Sequence, residues 1–227
     1  MTAQQQFETD AIPTSSGDLE ITFLGHGSLM FAFGGRTIYV DPYAQVADYT
    51  RLPKADIVLV THEHRDHLDP QALAAVRAAQ TTVLLNEAGA RQVEGGLAMR
   101  PGERRTVLGI GVEAVPAYNV VHRRENGQPF HPQGVGIGYV LTFGDRRVYV
   151  AGDTEDIPEM RALRAVDIAF LPMNLPYTMT PEMVAAAARA FRPRILYPYH
   201  YGQTDTSRLE ELLRGEKDIE VRIRRLA

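Results

Sequence analysis

Residues 55–68 read ADIVLVTHEHRDHL, and the organisation of the chain can be worked outward from them. The first part, ADIVLV, is a short apolar run of the kind shown by a strand buried on both faces. The second part gathers three of the chain's seven histidines beside two acidic side chains. Directly after it, DPQALAAVRAAQ (69–80) predicts a helix, with Asp69 as N-cap and Pro70 in the first turn. Strand, polar loop, helix is the rhythm of a layered α/β protein, with polar chemistry at a strand end.

The same rhythm runs along the rest of the chain. LEITFLG (19–25), SLMFAF (28–33) and RTIYVDP (36–42) read as strands, with Gly34-Gly35 as a hairpin turn. TTVLLN (81–86), RTVLGIGVEAVPA (105–117), GIGYVLTF (136–143), RRVYVAGD (146–153) and RILYPYH (194–200) continue the series. TPEMVAAAARAF (180–191) predicts a second helix starting at Thr180, TSRLEELLRGEK (206–217) a third, and IEVRIR (219–224) a final strand. Two halves of similar rhythm, without a repeat or a low-complexity linker, predict one domain over 1–227. Residues 1–17 read as a polar leader.

Composition excludes several classes of function. The chain has 227 residues, 44% of them hydrophobic and 23% charged, with a net charge of −4 and no cysteine. A thiolate metal site, a cysteine nucleophile and a disulfide framework are therefore ruled out. Basic and acidic residues are mixed along the chain, so no general attraction to nucleic acid or anionic membrane is expected. The start lacks the pattern of a secretory signal, and no apolar run approaches the ~20 residues of a membrane span. The expectation is a cytoplasmic protein, with homo-oligomerisation left open.

In the HEHRDH loop, His62 and His64 are separated by one residue, so their side chains can point the same way and share one ion. Asp66 and His67 can turn toward a second. Imidazole and carboxylate are the usual non-thiolate ligands of zinc and also suit manganese and iron. A solvated histidine-rich loop is the competing reading, and it rarely assembles four such residues in six positions.

HEHRDH resembles the HxHxDH signature of the metallo-β-lactamase superfamily, at the position after an apolar strand where that family carries it. TIYVDP resembles the family's first motif, FHPQGVGIGYV a later histidine motif, VYVAGDTE its GDT motif, and YPYHYG its terminal histidine. The wording GHGSLMF and AGDTE is most similar to the compact lactonase-like branch, which includes relatives of L-ascorbate-6-phosphate lactonase. The resemblance implies a four-layer αββα sandwich with a dinuclear site at one edge. One divalent ion would sit on His62, His64 and His131, the other on Asp66, His67 and His200, with Asp153 shared. Zinc comes first among the ions, with manganese or iron as alternatives. Asp41 would orient a ligand histidine from behind. The implied activity is hydrolysis, by a hydroxide activated between two metals, of a small ester, lactone or phosphorylated metabolite. A phosphodiesterase with the same site, or a catalytically idle metal-binding sensor, is the alternative.

Departures from other branches narrow this further. A di-iron redox site would carry a glutamate where His64 stands. The intervals between Asp153 and His200 and after His200 leave no room for the added domains of nucleic-acid-processing or thiolester-cleaving members. Asp66, or a metal-bound water, is the candidate proton donor to the leaving group. His26, in LGHGS, either binds substrate or assists proton transfer, or is a hydrogen-bonded structural histidine. His122 competes with His131 for the first site; His131 is preferred because it stands just before a strand and away from the two arginines that follow His122. Arg123 and Arg124 could capture a phosphate or carboxylate, although a solvated loop is the simpler reading. Tyr118 and Asn119 read as packing or loop-capping residues, Tyr199 and Tyr201 as aromatic packing, and MNLPYTMT (173–180) as a groove wall.

Overall fold

A computed structural model describes residues 6–227. Among them, fourteen strands form two seven-stranded sheets. The first contains, in chain order, β1 (Glu8–Thr14), β2 (Gly17–Gly25), β3 (Ser28–Phe33), β4 (Arg36–Val40), β5 (Ile57–Val60), β6 (Thr82–Leu85) and β7 (Leu97–Ala98). The second contains β8 (Arg104–Val107), β9 (Ile110–Ala117), β10 (Gly136–Phe143), β11 (Arg146–Val150), β12 (Ile168–Pro172), β13 (Ile195–Tyr199) and β14 (Glu220–Val221), again ordered as in the chain. Each sheet starts with four strands paired antiparallel and ends with parallel ones.

Parallel pairing requires crossovers, and these place the helices outside the sheets. Helix α1 (Pro70–Val76) covers the first sheet; Leu73 and Val76 pack on Val58 and Val60. Helices α3 (Pro158–Arg161), α4 (Pro181–Phe191) and α5 (Ser207–Leu213) cover the second, through Met160, Val184 and Leu209 against Tyr149 and Leu171. A single turn, α2 (Glu87–Ala90), follows β6. The inner faces of both sheets, including Phe31, Ile57, Tyr139, Phe170 and Tyr197, make the central core. The architecture is the expected αββα sandwich.

Individual expectations fare differently. Asp69 and Thr180 cap α1 and α4, each accepting backbone N–H groups with a proline behind it. Gly34 and Gly35 have φ of 56° and 73°, as the turn of the β3–β4 hairpin requires. Helix α1 stops at Val76 rather than Gln80, because Val76 turns its carbonyl to Ala55 and Thr81 Oγ1 accepts from Ala78 N. RTVLGIGVEAVPA is a hairpin and not one strand; Leu108 and Gly109 make its turn with φ of 52° and 85°. The final strand keeps only Glu220–Val221.

The polar leader is the largest correction. Residues 1–5 lie outside the described residues, but Glu8–Thr14 is strand β1, fully paired with β2. Asp10 holds it to the far end of the chain, accepting from Arg224 Nη2 at 2.8 Å and Arg222 Nη1 at 3.1 Å and from the Tyr197 hydroxyl. Among the described residues, no helix is long and apolar enough to cross a membrane.

Candidate metal centre

Alternate pairing directions bring the chemistry-bearing loops to one edge. The carboxyl ends of β4, β5, β11 and β13 lie there with the β2–β3 turn and the residues preceding β10. This is the edge at which α/β sheets generally bind ligands. Cross-sheet bonds join it: Ile137 N donates to Thr61 O at 3.0 Å, and the Tyr139 hydroxyl donates to Val60 O at 2.8 Å. His26, Asp41 and His200 have φ of 53°, 44° and 46°, turning each side chain where its strand ends or begins.

All the histidines and aspartates expected to be ligands converge at this edge. His62, His64 and His131 bring one ring nitrogen each within 4.8 Å of one another, and His62 Nε2 faces His64 Nδ1 at 3.0 Å. His26, Asp66, His67 and His200 form a second such group. Asp153 lies between the two and divides its oxygens. Its Oδ2 is 3.2 Å from His131 Nε2 and 3.9 Å from His62 Nε2, whereas Oδ1 is 3.5 Å from His67 Nε2 and 3.6 Å from His200 Nε2. A tight turn makes this compact: His67 N and Leu68 N both donate to His64 O. Gly27 lets the second group close, because a Cβ there would stand 3.2 Å from His67 Cε1.

His67 Nε2, Asp153 Oδ1 and His200 Nε2 are buried, and none has a hydrogen-bond partner. A buried donor or acceptor left unpaired costs about 1–3 kcal/mol, so three aimed at one point need an explanation. A cation accepting all three as ligands satisfies them, and the donor set of imidazoles and carboxylates is the one divalent ions prefer.

The sequence profile of the beta-lactamase superfamily domain matches residues 20–200. The chain belongs to the metallo-β-lactamase superfamily. A UPF0173 metal-dependent hydrolase of Methanoculleus marisnigri is 33% identical, covering 90% of this chain and 92% of that one, which places the protein in the same hydrolase family. The crystal structure of a candidate metal-dependent hydrolase from Parabacteroides distasonis superposes with a TM-score of 0.93 at 49% identity, covering 98% of this chain and 100% of that one. A metallo hydrolase of Ignicoccus hospitalis, 24% identical with a TM-score of 0.75 over 92% of this chain and 96% of that one, shares the fold.

The electrostatics of the hydrolase suit cation binding. Burial, with the neighbouring His67, pushes His62 well below the usual imidazole range; burial also lowers His64. Burial opposes the ionised form of Asp153 and Asp66, but the surrounding histidines outweigh it and hold both carboxyls well below their ordinary value. Neutral imidazole and ionised carboxylate are the ligand forms. His67 is the exception: burial would lower it, yet Asp153 and Asp41 raise it well above 6.5, so a cation at Nε2 displaces a proton.

Behind the ligands stands a layer of partners the sequence reading largely missed. Asp41 was expected, and its Oδ2 lies 2.8 Å from His67 Nδ1 while accepting from Thr61 Oγ1 at 2.7 Å. Asn119, read as a packing or capping residue, instead clamps His131: Asn119 Oδ1 lies 2.8 Å from both His131 N and His131 Nδ1. Glu155, 1% exposed, accepts from Asn119 Nδ2 at 3.0 Å and from three successive backbone N–H groups, Val120 to His122. His122 is thereby drawn away from the ligand groups, with Nδ1 2.6 Å from Glu155 Oε1. Asn174 Nδ2 lies 3.3 Å from His200 Nδ1, which makes 173–180 a wall of the site. Tyr199 turns its hydroxyl to accept from Gly152 N at 2.8 Å, beside Asp153.

Proposed function

We propose that this hydrolase cleaves a small ester, lactone or phosphorylated metabolite with two divalent ions, zinc ahead of manganese or iron, at the cluster just described. His62, His64 and His131 would hold one ion, Asp66, His67 and His200 the other, and Asp153 both. The observation carrying this reading is the division of the Asp153 oxygens between the two groups, with Oδ1 buried and unpaired. Such a pair of ions supplies a water of lowered pKa as nucleophile and a positive charge for the developing oxyanion. The chain's own residues do the rest. Asp41 and Asn119 fix the rings of His67 and His131. His26 Nε2 sits 3.0 Å from Asp66 Oδ2, and these two are the more open members of the second group, 20% and 36% exposed, so they are placed to carry a proton to the leaving group. The lactonase-like substrate preference, a small-molecule substrate rather than nucleic acid, and a cytoplasmic location belong to the same proposal.

The test is elemental analysis followed by a panel of lactones, esters and phosphodiesters with zinc- and manganese-loaded protein. Two ions per chain are expected, with Asp153→Ala losing both metal and turnover while remaining folded. A stoichiometry of one under metal excess refutes the two-ion reading. Turnover confined to phosphodiesters would select the phosphodiesterase, and a loaded protein inactive on every class would select a sensor.

A further inference from the structure

The cluster opens into a pocket of about 330 Å³, whose far wall is Arg124, Phe130 and Tyr177. These residues belong to none of the ligand groups or their supporting partners. The Arg124 guanidinium carbon lies 5.2 Å from the Phe130 ring centroid, and its Nη2 donates to Phe130 O at 3.3 Å. The segment itself is a tight turn, closed by Arg124 N to Gln128 O at 2.7 Å and an Arg123–Pro129 bridge. Stacking and turn together restrain the side chain at the pocket wall. Most arginines here meet a carboxylate, as Arg104 and Arg147 meet Glu113. Among the described residues no carboxylate lies within 4.0 Å of Arg124, so its remaining N–H groups are free to meet a ligand. Phe130 and Tyr177 pack edge to face at 5.1 Å, and Tyr177 is 46% exposed, giving the same wall an apolar surface.

Resting on the function proposed above, we infer that Arg124 is the substrate-specificity residue. It receives a carboxylate or phosphate group carried by the substrate at a distance from the bond that is cut. The linking part of the substrate lies on Phe130 and Tyr177. A guanidinium is suited to this because its planar donors match the two oxygens of an oxyanion, and stacking on an aromatic ring leaves them directed outward. The substrate class is then an anionic ester or lactone rather than a neutral one.

A chain-length series tests this without requiring turnover. Acetate to hexanoate and the corresponding dicarboxylates, malonate to adipate, are titrated into zinc-loaded protein by calorimetry. One carboxylate engages the metal cluster in both series; only the dicarboxylate can also reach Arg124. At one chain length the dicarboxylate should bind roughly tenfold to hundredfold tighter, the range of a charged hydrogen-bonded pair. Arg124→Ala should erase that preference with metal content unchanged, and Arg124→Lys should restore part of it. Replacing the distal carboxylate by a phosphonate distinguishes the two anions: tighter binding of the phosphonate assigns a phosphate, weaker binding a carboxylate. Equal binding of the mono- and diacid series, or a preference that survives in Arg124→Ala, overturns the inference. A preference that holds while the hydrolysis panel stays silent upholds Arg124 and refutes the hydrolytic reading alone.

Discussion

Replacing Asp41 by asparagine changes neither the size nor the shape of the side chain, yet it should empty the second metal position. Asp41 is fully buried and accepts three hydrogen bonds: Thr61 N on Oδ1, Thr61 Oγ1 on Oδ2, and His67 Nδ1, also on Oδ2. That last bond keeps one proton on Nδ1, so that Nε2, which faces Asp153, is the nitrogen that gives up its proton to an ion. An asparagine whose oxygen stays with Thr61 N presents its NH2 to His67. The imidazole must then offer Nδ1 as acceptor and carry its proton on Nε2, where the ion would bind. The substitution therefore removes a charge-assisted hydrogen bond, worth about 1.5–3 kcal/mol, and opposes the tautomer that binds metal. At about 1.4 kcal/mol per tenfold, the first effect alone corresponds to a loss in affinity of roughly 10- to 100-fold. A chelator competition titration on purified Asp41→Asn, beside wild type, measures it directly. One ion should bind normally and one much more weakly, with the far-ultraviolet circular dichroism unchanged. If Asp41→Asn binds both ions with wild-type affinity, His67 does not depend on Asp41 and the reasoning fails.

Three other substitutions probe the remaining assignments. His131→Ala should lose one ion and most activity, whereas His122→Ala should keep both ions, because His122 is engaged by Glu155; metal analysis of the two proteins decides between them. His26→Ala should retain metal yet lower kcat by about 10²–10⁴-fold if its proton transfer is used, and unchanged kinetics would return it to a structural role. Asp10→Ala should cost about 1.5–3 kcal/mol in urea unfolding at neutral pH, because it breaks partly buried charged hydrogen bonds to Arg224 and Arg222. Burial opposes ionisation of Asp10, but Tyr197 and the arginines hold its pKa below 3.8. A depressed carboxyl stabilises above its unfolded pKa, so the difference between the two proteins should shrink as pH falls below about 4.

What the sequence made legible was chemistry carried by neighbours in the chain. His62, His64, Asp66 and His67 stand within six positions, and the apolar run before them and the Asp69-Pro70 start after them fix their strand and helix. Asn119, Asn174 and Glu155 carry no such signal. Asparagine and glutamate are common in loops, and each meets its histidine or loop only across 12 to 36 residues of chain. Strand β1 was missed for a related reason. ETDAIPT buries only Ile12, so its alternation is faint, and what holds it is pairing with β2 and a cluster of arginines more than two hundred residues away. Strand β12, IAFLP, is apolar throughout and shows no period from which a strand can be told from buried helix.

The clasp on Asp10 also bears on how the chain is made. Both sheets are laid down in chain order, so each strand after the first of its sheet finds a partner already present as it leaves the ribosome. The bonds from Asp10 to Arg222 and Arg224 run against that order, joining an early strand to residues made more than two hundred positions later. Until Arg222 and Arg224 have been made, β1 has β2 but not these two arginines, and Asp10 stands on a sheet edge without its charged partners. A ribosome-bound chain truncated before Arg222 should therefore protect β2 to β6 from protease while leaving β1 more open to cleavage, and extension past Arg224 should close it.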